Sequence, residues 1–268
     1  MQFIKYIILG IIQGITEPLP ISSSGHLLIF RELFNTNMFN DLNFEIIANF
    51  GSFIAIFIIF RKDIIKLLKG FFKHLLTKDK KTYQNEYNYF NNIIIGSIPV
   101  GIIGFIFKSK IEAISSVKLV GISLLVTAIA LLLVKNVTGH KKDDEITKGN
   151  AFVIGLFQMI ALIPGLSRSG MVFVGSLLNN LESKTALKYT FMLYFPVSIA
   201  TFILSIIDIT KKGIESTLIA PYLAGLLVAL IVTYFTFNWL TKLVKENKLW
   251  KFSIYCILLG LFVLSYFK

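Results

Sequence analysis

Apolar runs recur along the whole of this 268-residue chain, separated by short polar and lysine-rich segments. Hydrophobic residues make up 55% of the sequence and charged residues only 16%, and the mean hydropathy is +0.73. This pattern is typical of a polytopic membrane protein and excludes a soluble globular fold. The sequence therefore predicts an all-α chain that crosses the bilayer several times.

The charge distribution supports the same class of protein. The formal net charge is +12, but the lysines lie between the apolar runs, where they set topology and meet anionic headgroups. We therefore expect membrane lipids as partners and no nucleic acid. The single cysteine, Cys256, lies in an apolar run and allows no internal disulfide. Glu17 interrupts the first run and no small-residue cleavage site follows, which favours mature sequence over a signal peptide.

Six apolar runs are predicted to cross the membrane, namely 42–60, 92–107, 117–135, 186–207, 218–240 and 252–267. Between the first two, apolar residues recur at helical spacing from Ile64 to Leu75, with lysines on the other face. That spacing predicts a helix lying in the membrane interface. The basic segments 61–91, 135–149 and 241–251 are predicted to be cytoplasmic. Both termini and the mouth of the first hairpin then face outside.

Two further apolar runs are too short to cross and end at prolines. Residues 3–16 end before Pro18 and Pro20, and residues 150–163 end at Pro164. Each is followed by a second short apolar piece, at 25–30 and 170–181. A broken backbone at membrane depth is tolerated only where protein or water satisfies it. Each pair therefore predicts a re-entrant helix hairpin.

The two hairpins belong to an internal repeat. At an offset of 145 residues the following pairs match: Gly10 and Gly155, Gln13 and Gln158, Ile15 and Ile160, Ser22 and Ser167, Ser24 and Ser169, Gly25 and Gly170. Each hairpin precedes three predicted crossings, an odd number, so the second copy is expected to be inverted relative to the first. The prediction is a single membrane domain over 1–268, with a first repeat at 1–135 and an inverted repeat at 150–268. Such folds place their site near the midplane, where the two breaks meet.

The first break carries a carboxylate inside apolar sequence. Gln13 and Glu17 share a helix face, so their oxygens could hold a divalent cation, or Glu17 could orient a histidine. The alternative is a buried glutamate bonded to backbone for structure. An ionisable group at this depth is costly, which favours function. Gly10 and Gly14 are expected only to allow close helix packing.

Serines precede the helical restart in both breaks, at Ser22, Ser23 and Ser24 and again at Ser167 and Ser169. Serine is a favoured N-cap, so some of them are expected only to cap. A helix N-terminus also binds phosphate, and two facing N-termini would form an anion site. The candidates for substrate binding are Ser22, Ser24, Gly165, Ser167 and Ser169.

Two cationic or titratable side chains complete the candidate site. The guanidinium of Arg168 can bind phosphate oxygens in bidentate fashion, although a salt bridge to Glu17 is an alternative. His26 is the only histidine in an apolar run, and we expect a general acid/base, a nucleophile or a structural role. The substrate should then have a phosphate head and a lipid tail. A lipid phosphatase class with a histidine after Ser-Arg and five further residues is excluded, because Val174 stands there.

These residues resemble the undecaprenyl-diphosphatases, also called the bacitracin-resistance family. The resemblance rests on Gln13 to Glu17 with the element Pro20 to His26, on the complete Pro-Gly-x-Ser-Arg-Ser-Gly motif at 164–170, and on the segment 44–52. It implies hydrolysis of the C55 prenyl diphosphate carrier to its monophosphate for reuse in cell-wall synthesis, in the bacterial plasma (inner) membrane. A homodimer is left open.

The resemblance also implies a divalent cation, Mg²⁺ or Ca²⁺, held by Glu17 with Gln13, and catalytic roles for Glu17, Ser23, His26 and Arg168. Gln13 is neutral where many members have glutamate, and Asn49 stands where glutamine is expected. In one scheme Ser23 attacks phosphorus and His26 moves the proton. In another, His26, oriented by Glu17, is the nucleophile or the base for water. A lipid-phosphate transporter or flippase and a non-catalytic scaffold are the rival functions.

Overall fold

The computed structural model describes residues 2–33, 42–78, 80–212 and 215–267. Within these ranges ten α-helices follow one another: α1 (Gln2–Thr16), α2 (Ser23–Leu33), α3 (Leu42–Leu76), α4 (Gln84–Ala113), α5 (Val117–Leu133), α6 (Lys148–Ile160), α7 (Arg168–Leu178), α8 (Ser183–Lys212), α9 (Ser216–Lys245) and α10 (Lys251–Tyr266). Short 3₁₀ turns lie at Lys81–Tyr83 and Asp143–Glu145. No β-strand occurs in the described ranges, so the all-α prediction is confirmed.

Four of these helices are long and apolar enough to cross a membrane, namely Asn43–Leu76, Lys81–Ile111, Ser183–Ile207 and Ser216–Lys245. They confirm a polytopic membrane protein. Helices α5 and α10 have 17 and 16 residues and pack against each other. At 1.5 Å per residue they are about 25 Å long, close to the hydrocarbon thickness. That these two helices also cross stays a prediction.

Residues 64–75 are helical as predicted, but they continue the helix of the predicted crossing 42–60 and do not form a helix of their own in the interface, which corrects that prediction. Helix α3 continues without interruption to Leu76, because neither proline nor glycine follows Phe60 before the last turns. In this extension Gly70 lies against the side chain of Glu86, and the ring centroids of Phe71 and Phe90 are 4.0 Å apart. The extension therefore packs on α4.

Both predicted breaks are present, and each helix restart is capped by a serine. In the first hairpin Ser22 Oγ accepts a hydrogen bond from the Gly25 amide at 3.2 Å. In the second, Ser167 Oγ accepts from the Gly170 amide at 3.1 Å. These bonds satisfy amides at the helix start that lack an intrahelical partner. The capping role is thus confirmed for one matched pair of serines.

Glycines allow the first helix of each hairpin to touch a long helix from the other half of the chain. Gly10 of α1 lies against the backbone of Gly225 in α9, and Gly155 of α6 lies against the backbone of Gly96 in α4. Gly14 likewise contacts Val232 and Ala229 O. The packing role predicted for Gly10 and Gly14 is confirmed. The hairpins are therefore held between helices that are distant in sequence.

This contact predicts a difference between two glycine substitutions. A Cβ at position 10 would lie 3.2 Å from the Gly225 Cα and would overlap its carbonyl oxygen, whereas a Cβ at Gly101 has no atom within 4 Å. We expect Gly10→Ala to cost about 1–3 kcal/mol of stability through overpacking. Gly101→Ala should be neutral or stabilising, since alanine favours helix. Thermal unfolding in detergent measures both, and equal midpoints would contradict the packing argument.

Candidate active site

The two breaks meet at one cavity of about 230 Å³. The first hairpin lines it with Glu17, Leu19 and Ser22 to Ser24, and the second lines it with Leu166 to Ser169. Ser169 Oγ donates to the carbonyl oxygen of Leu19 at 3.2 Å, which joins the two bends directly. Because α2 begins at Ser23 and α7 at Arg168, both helix N-termini lie at this cavity. Their amides and positive dipole ends suit an anion.

Glu17 is the central polar group of the cavity. It is buried, and its Oε2 accepts from Gln13 Nε2 at 2.9 Å and from Ser23 Oγ at 2.5 Å. Its Oε1 faces Arg168 Nη2 at 3.3 Å. Gln13 reaches it because the chain keeps helical spacing there, with the Glu17 amide bonded to the Gln13 carbonyl at 2.9 Å. Both oxygens thus have side-chain partners, unlike a glutamate bonded to backbone for structure.

Arg168 joins the second break to the first. Its guanidinium carbon lies 5.0 Å from the ring centroid of Tyr194, so the planar group stacks over an aromatic face. The alternative of a salt bridge with Glu17 is confirmed. The side chain is still 34% exposed and lines the cavity. A guanidinium has five donors, so donors remain for a bound anion.

The candidate serines differ in what their hydroxyls do. Ser22 and Ser167 use theirs as caps, and Ser167 Oγ also lies 3.3 Å from Ser169 Oγ. Ser24 lines the cavity and is exposed. Ser23 is the one whose hydroxyl is bonded to the carboxylate. Hydrogen bonding to a base is the arrangement that activates a hydroxyl nucleophile.

Gly165, predicted to bind substrate, lies outside the set of residues that line the cavity. Its φ is +86°, a conformation that favours glycine, and its backbone approaches Val120 closely. The Pro164 carbonyl beside it accepts from Ser123 Oγ at 2.8 Å. The glycine is thus required to turn the chain against α5.

His26 is not brought together with Glu17. The imidazole is buried, with Nδ1 2.7 Å from the Ser22 carbonyl oxygen and Nε2 2.7 Å from the Tyr255 hydroxyl. Both ring nitrogens are therefore engaged elsewhere, and the idea that Glu17 orients this histidine is wrong. Ser23 donates to Glu17, so direct proton transfer from Ser23 to His26 is not set up in this arrangement.

The side chains at the site that were missing from the sequence-based candidates include Asn49, Tyr194 and Tyr255. Asn49 Oδ1 accepts from Gln13 Nε2 at 2.7 Å, Tyr194 stacks on Arg168, and Tyr255 bonds His26. Asn49 could have been found, since it lies in the segment 44–52 that carries the family resemblance. Neither tyrosine has a local signal, because aromatic residues make up 14% of the chain and are common in its apolar runs.

A second, mainly apolar cavity of about 200 Å³ adjoins the first between α3 and α8. It shares Asn49, Arg168 and Tyr194 with the polar cavity. Its other walls include Phe50 and Phe202, whose rings stack with centroids 4.0 Å apart. We call it the apolar groove. A polar cavity continuous with an apolar groove suits a ligand with a charged head and a hydrocarbon tail.

The residues around Glu17 offer oxygen donors for a hard cation. No group of three or more His, Cys, Asp or Glu side chains suited to a metal occurs in the described part of the chain. Gln13, however, bonds Glu17 and also donates to Asn49, and Gln13 Oε1 is buried without a hydrogen-bond partner. Carboxylate and amide oxygens are the ligands that Mg²⁺ and Ca²⁺ use. The residues present therefore fit a divalent cation held by the Glu17 carboxylate and the Gln13 amide oxygen.

Comparison with known proteins finds a family model and several relatives that share one name, undecaprenyl-diphosphatase. The family model described as bacitracin resistance protein BacA matches residues 6–262. The chain is 38% identical over 264 residues to undecaprenyl-diphosphatase 2 of Bacillus thuringiensis (strain Al Hakam), covering 98% of this chain and 97% of that protein. It is 39% identical over 268 residues to undecaprenyl-diphosphatase 1 of Bacillus licheniformis, covering 99% and 98%. Undecaprenyl-diphosphatase of Oceanobacillus iheyensis is 38% identical over 266 residues, covering 98% and 96%.

Proposed function

This chain belongs to the bacitracin resistance protein BacA family, and we propose that its inter-hairpin cavity is where undecaprenyl diphosphate is hydrolysed. The protein is an undecaprenyl-diphosphatase of the membrane, which returns the lipid carrier as undecaprenyl phosphate for cell-wall synthesis. One observation carries the assignment to this cavity. The carboxylate of Glu17 bonds the hydroxyl of Ser23 and pairs with Arg168 across the two hairpins.

In the proposed complex the diphosphate lies against Arg168 and the amides that start α2 and α7. These groups supply charge and hydrogen bonds without reorganisation, which is the main form of stabilisation in phosphoryl transfer. Glu17 with Gln13 would hold the Mg²⁺ or Ca²⁺, and Asn49 would position Gln13. A bound cation would neutralise phosphate charge as it develops.

The chemistry we propose begins at Ser23. As its oxygen bonds to the terminal phosphorus, its proton passes to Glu17, which already accepts from it at 2.5 Å. The bond from that phosphorus to the bridging oxygen breaks, and undecaprenyl phosphate leaves. Water then attacks the phosphoserine, and the proton held by Glu17 returns to the Ser23 oxygen as its bond to phosphorus breaks. The hydroxyl is restored, and the protons of the water leave with the released phosphate. The alternative is that Ser23 and Glu17 orient a water that attacks directly.

The geometry does not favour His26 as the general acid, the general base or the nucleophile. It favours a structural role. Its ring lies outside the residues that line the cavity and bonds the carbonyl oxygen of Ser22, the residue before the proposed nucleophile. We propose that His26 stabilises this first turn of α2. The other candidate serines supply a rigid bend, through the caps at Ser22 and Ser167, and polar lining, through Ser24 and Ser169.

The prenyl tail fits the apolar groove. Arg168 and Tyr194 border both cavities, so a headgroup at Arg168 places the first isoprene units beside Phe50 and Phe202. That placement would leave the remainder of the tail between α3 and α8, toward lipid. A soluble phosphate ester would gain nothing from this groove.

Phosphate release separates hydrolysis from the rival of lipid transport. Purified protein in detergent, without compartments, should release phosphate from a prenyl diphosphate, and excess chelator should lower the rate at least about tenfold if the cation stabilises phosphate charge. Restoring Mg²⁺ or Ca²⁺ should recover activity. A protein that binds the lipid but releases no phosphate would support the transporter. Phosphate release that is undiminished by excess chelator would refute the proposed role of a divalent cation.

We also propose that the second half of the chain is an inverted copy of the first. The support is that hairpin helices α1 and α6 pack on α9 and α4, which hold the same place in each half. With the basic segments 135–149 and 241–251 cytoplasmic, the first hairpin opens outside the plasma membrane. Labelling single cysteines in 135–149 from each side tests this orientation. A homodimer stays a prediction of the family resemblance.

A further inference from the structure

Tyr255 of α10 contacts the first hairpin although 229 residues separate it from His26. Its hydroxyl lies 2.7 Å from His26 Nε2. The two rings are nearly parallel, with an interplanar angle of 6° and centroids 5.6 Å apart. The contact therefore joins a helix of the second half to the start of α2.

The partners of the imidazole determine its tautomer. The Ser22 carbonyl oxygen can only accept, so the hydrogen of a neutral ring is on Nδ1. Nε2 then carries a lone pair, and the Tyr255 hydroxyl must be the donor to it. Tyr255 thus supplies the hydrogen bond that selects the tautomer able to bind Ser22.

Ser22 needs such support because its backbone is strained. Its φ is 69°, a region that residues other than glycine rarely adopt. Its carbonyl accepts twice from His26, from the amide at 3.2 Å and from Nδ1 at 2.7 Å. The next residue is Ser23, whose hydroxyl must stay on Glu17. Small displacements of a reacting group have large kinetic effects.

We propose that Tyr255 is a positioning residue for the phosphatase reaction. By donating to His26 it orients the ring that holds Ser22, and it thereby keeps the Ser23 hydroxyl on Glu17. The inference rests on the proposed function of Ser23 and Glu17. It assigns Tyr255 no contact with substrate, since Tyr255 lies outside the residues that line the cavity.

The test compares Tyr255→Phe with Tyr266→Phe, an exposed tyrosine near the end of the same helix, in the full-length protein in detergent. Loss of one positioning hydrogen bond should lower kcat for phosphate release about tenfold while KM changes less than about twofold. Tyr266→Phe should match wild type. The chain has three histidines, so ¹⁵N spectra of the histidine side chains are resolvable. In Tyr255→Phe the Nε2 resonance of His26 should move toward that of an unbonded nitrogen.

A double-mutant cycle tests whether Tyr255 acts through His26. If it does, Tyr255→Phe should cause no further loss of kcat in a His26→Asn background. An unchanged kcat, a change confined to KM, full additivity, or an unmoved His26 resonance would each overturn the proposal. Wild-type protein that releases no phosphate would instead refute the proposed function, and the spectrum would still report on the hydrogen bond between Tyr255 and His26.

Discussion

Replacing Arg168 by alanine is expected to lower kcat/KM for phosphate release by about 10³-fold, the effect of removing a charged group that stabilises a phosphoryl transition state. Arg168 is the cation that lines the cavity, and it already pairs with Glu17 at 3.3 Å. Arg168→Lys should recover only part of the rate, because an ammonium cannot bind two phosphate oxygens side by side or stack on Tyr194 in the same way. Steady-state kinetics on purified protein measure both variants.

The control must separate lost catalysis from lost folding. Arg168→Ala leaves the buried carboxylate of Glu17 without its cation, which is destabilising in itself. The double variant Glu17→Gln with Arg168→Ala removes both charges, so it should unfold at a higher temperature than Arg168→Ala yet stay inactive. Arg61→Ala, at an exposed arginine on α3, should behave as wild type. Near-normal turnover by folded Arg168→Ala would refute the role of this residue.

Replacing Ser23 by alanine should also reduce turnover by about 10³-fold or more, as the loss of a nucleophile does in other enzymes. Ser22 and Ser167 use their hydroxyls in caps, and of the serines that line the cavity Ser23 is the one bonded to the Glu17 carboxylate. Acid quenching of wild-type protein during turnover, followed by mass spectrometry, should find phosphate on Ser23. Ser265→Ala, which removes an exposed hydroxyl on α10, serves as the control.

The outcomes separate the two proposed mechanisms. Trapped phosphoserine at position 23 would support covalent catalysis. An inactive Ser23→Ala with no phosphorylated residue in wild type would favour a water activated by Glu17. Phosphate found on His26 would contradict the present geometry, in which both ring nitrogens have partners. Activity retained by Ser23→Ala would remove Ser23 from the mechanism.

Much of the architecture could be predicted from local properties of the chain. Apolar runs and prolines placed the helices and both breaks, because hydropathy and the missing amide of proline act within a few residues. The serine caps followed from the same local chemistry. The polar candidates Glu17, Ser23 and Arg168 stood out because ionisable and hydroxyl groups are unexpected within apolar sequence. Their meeting at one cavity was predicted from the hypothesis of an inverted repeat and is present in the structure.

The tertiary structure decided the partners of each side chain. No local pattern indicates that His26 bonds Tyr255, that Asn49 bonds Gln13, or that Tyr194 lies under Arg168. These contacts depend on how α3, α8 and α10 pack around the hairpins, and long apolar helices carry little sequence information about which face meets which neighbour. In the packed structure the Ser23 hydroxyl bonds Glu17 and not His26, and His26 lies outside the residues that line the cavity. Hydrogen-bond partners are chosen by distance in three dimensions, and that distance exists only once the helices have packed.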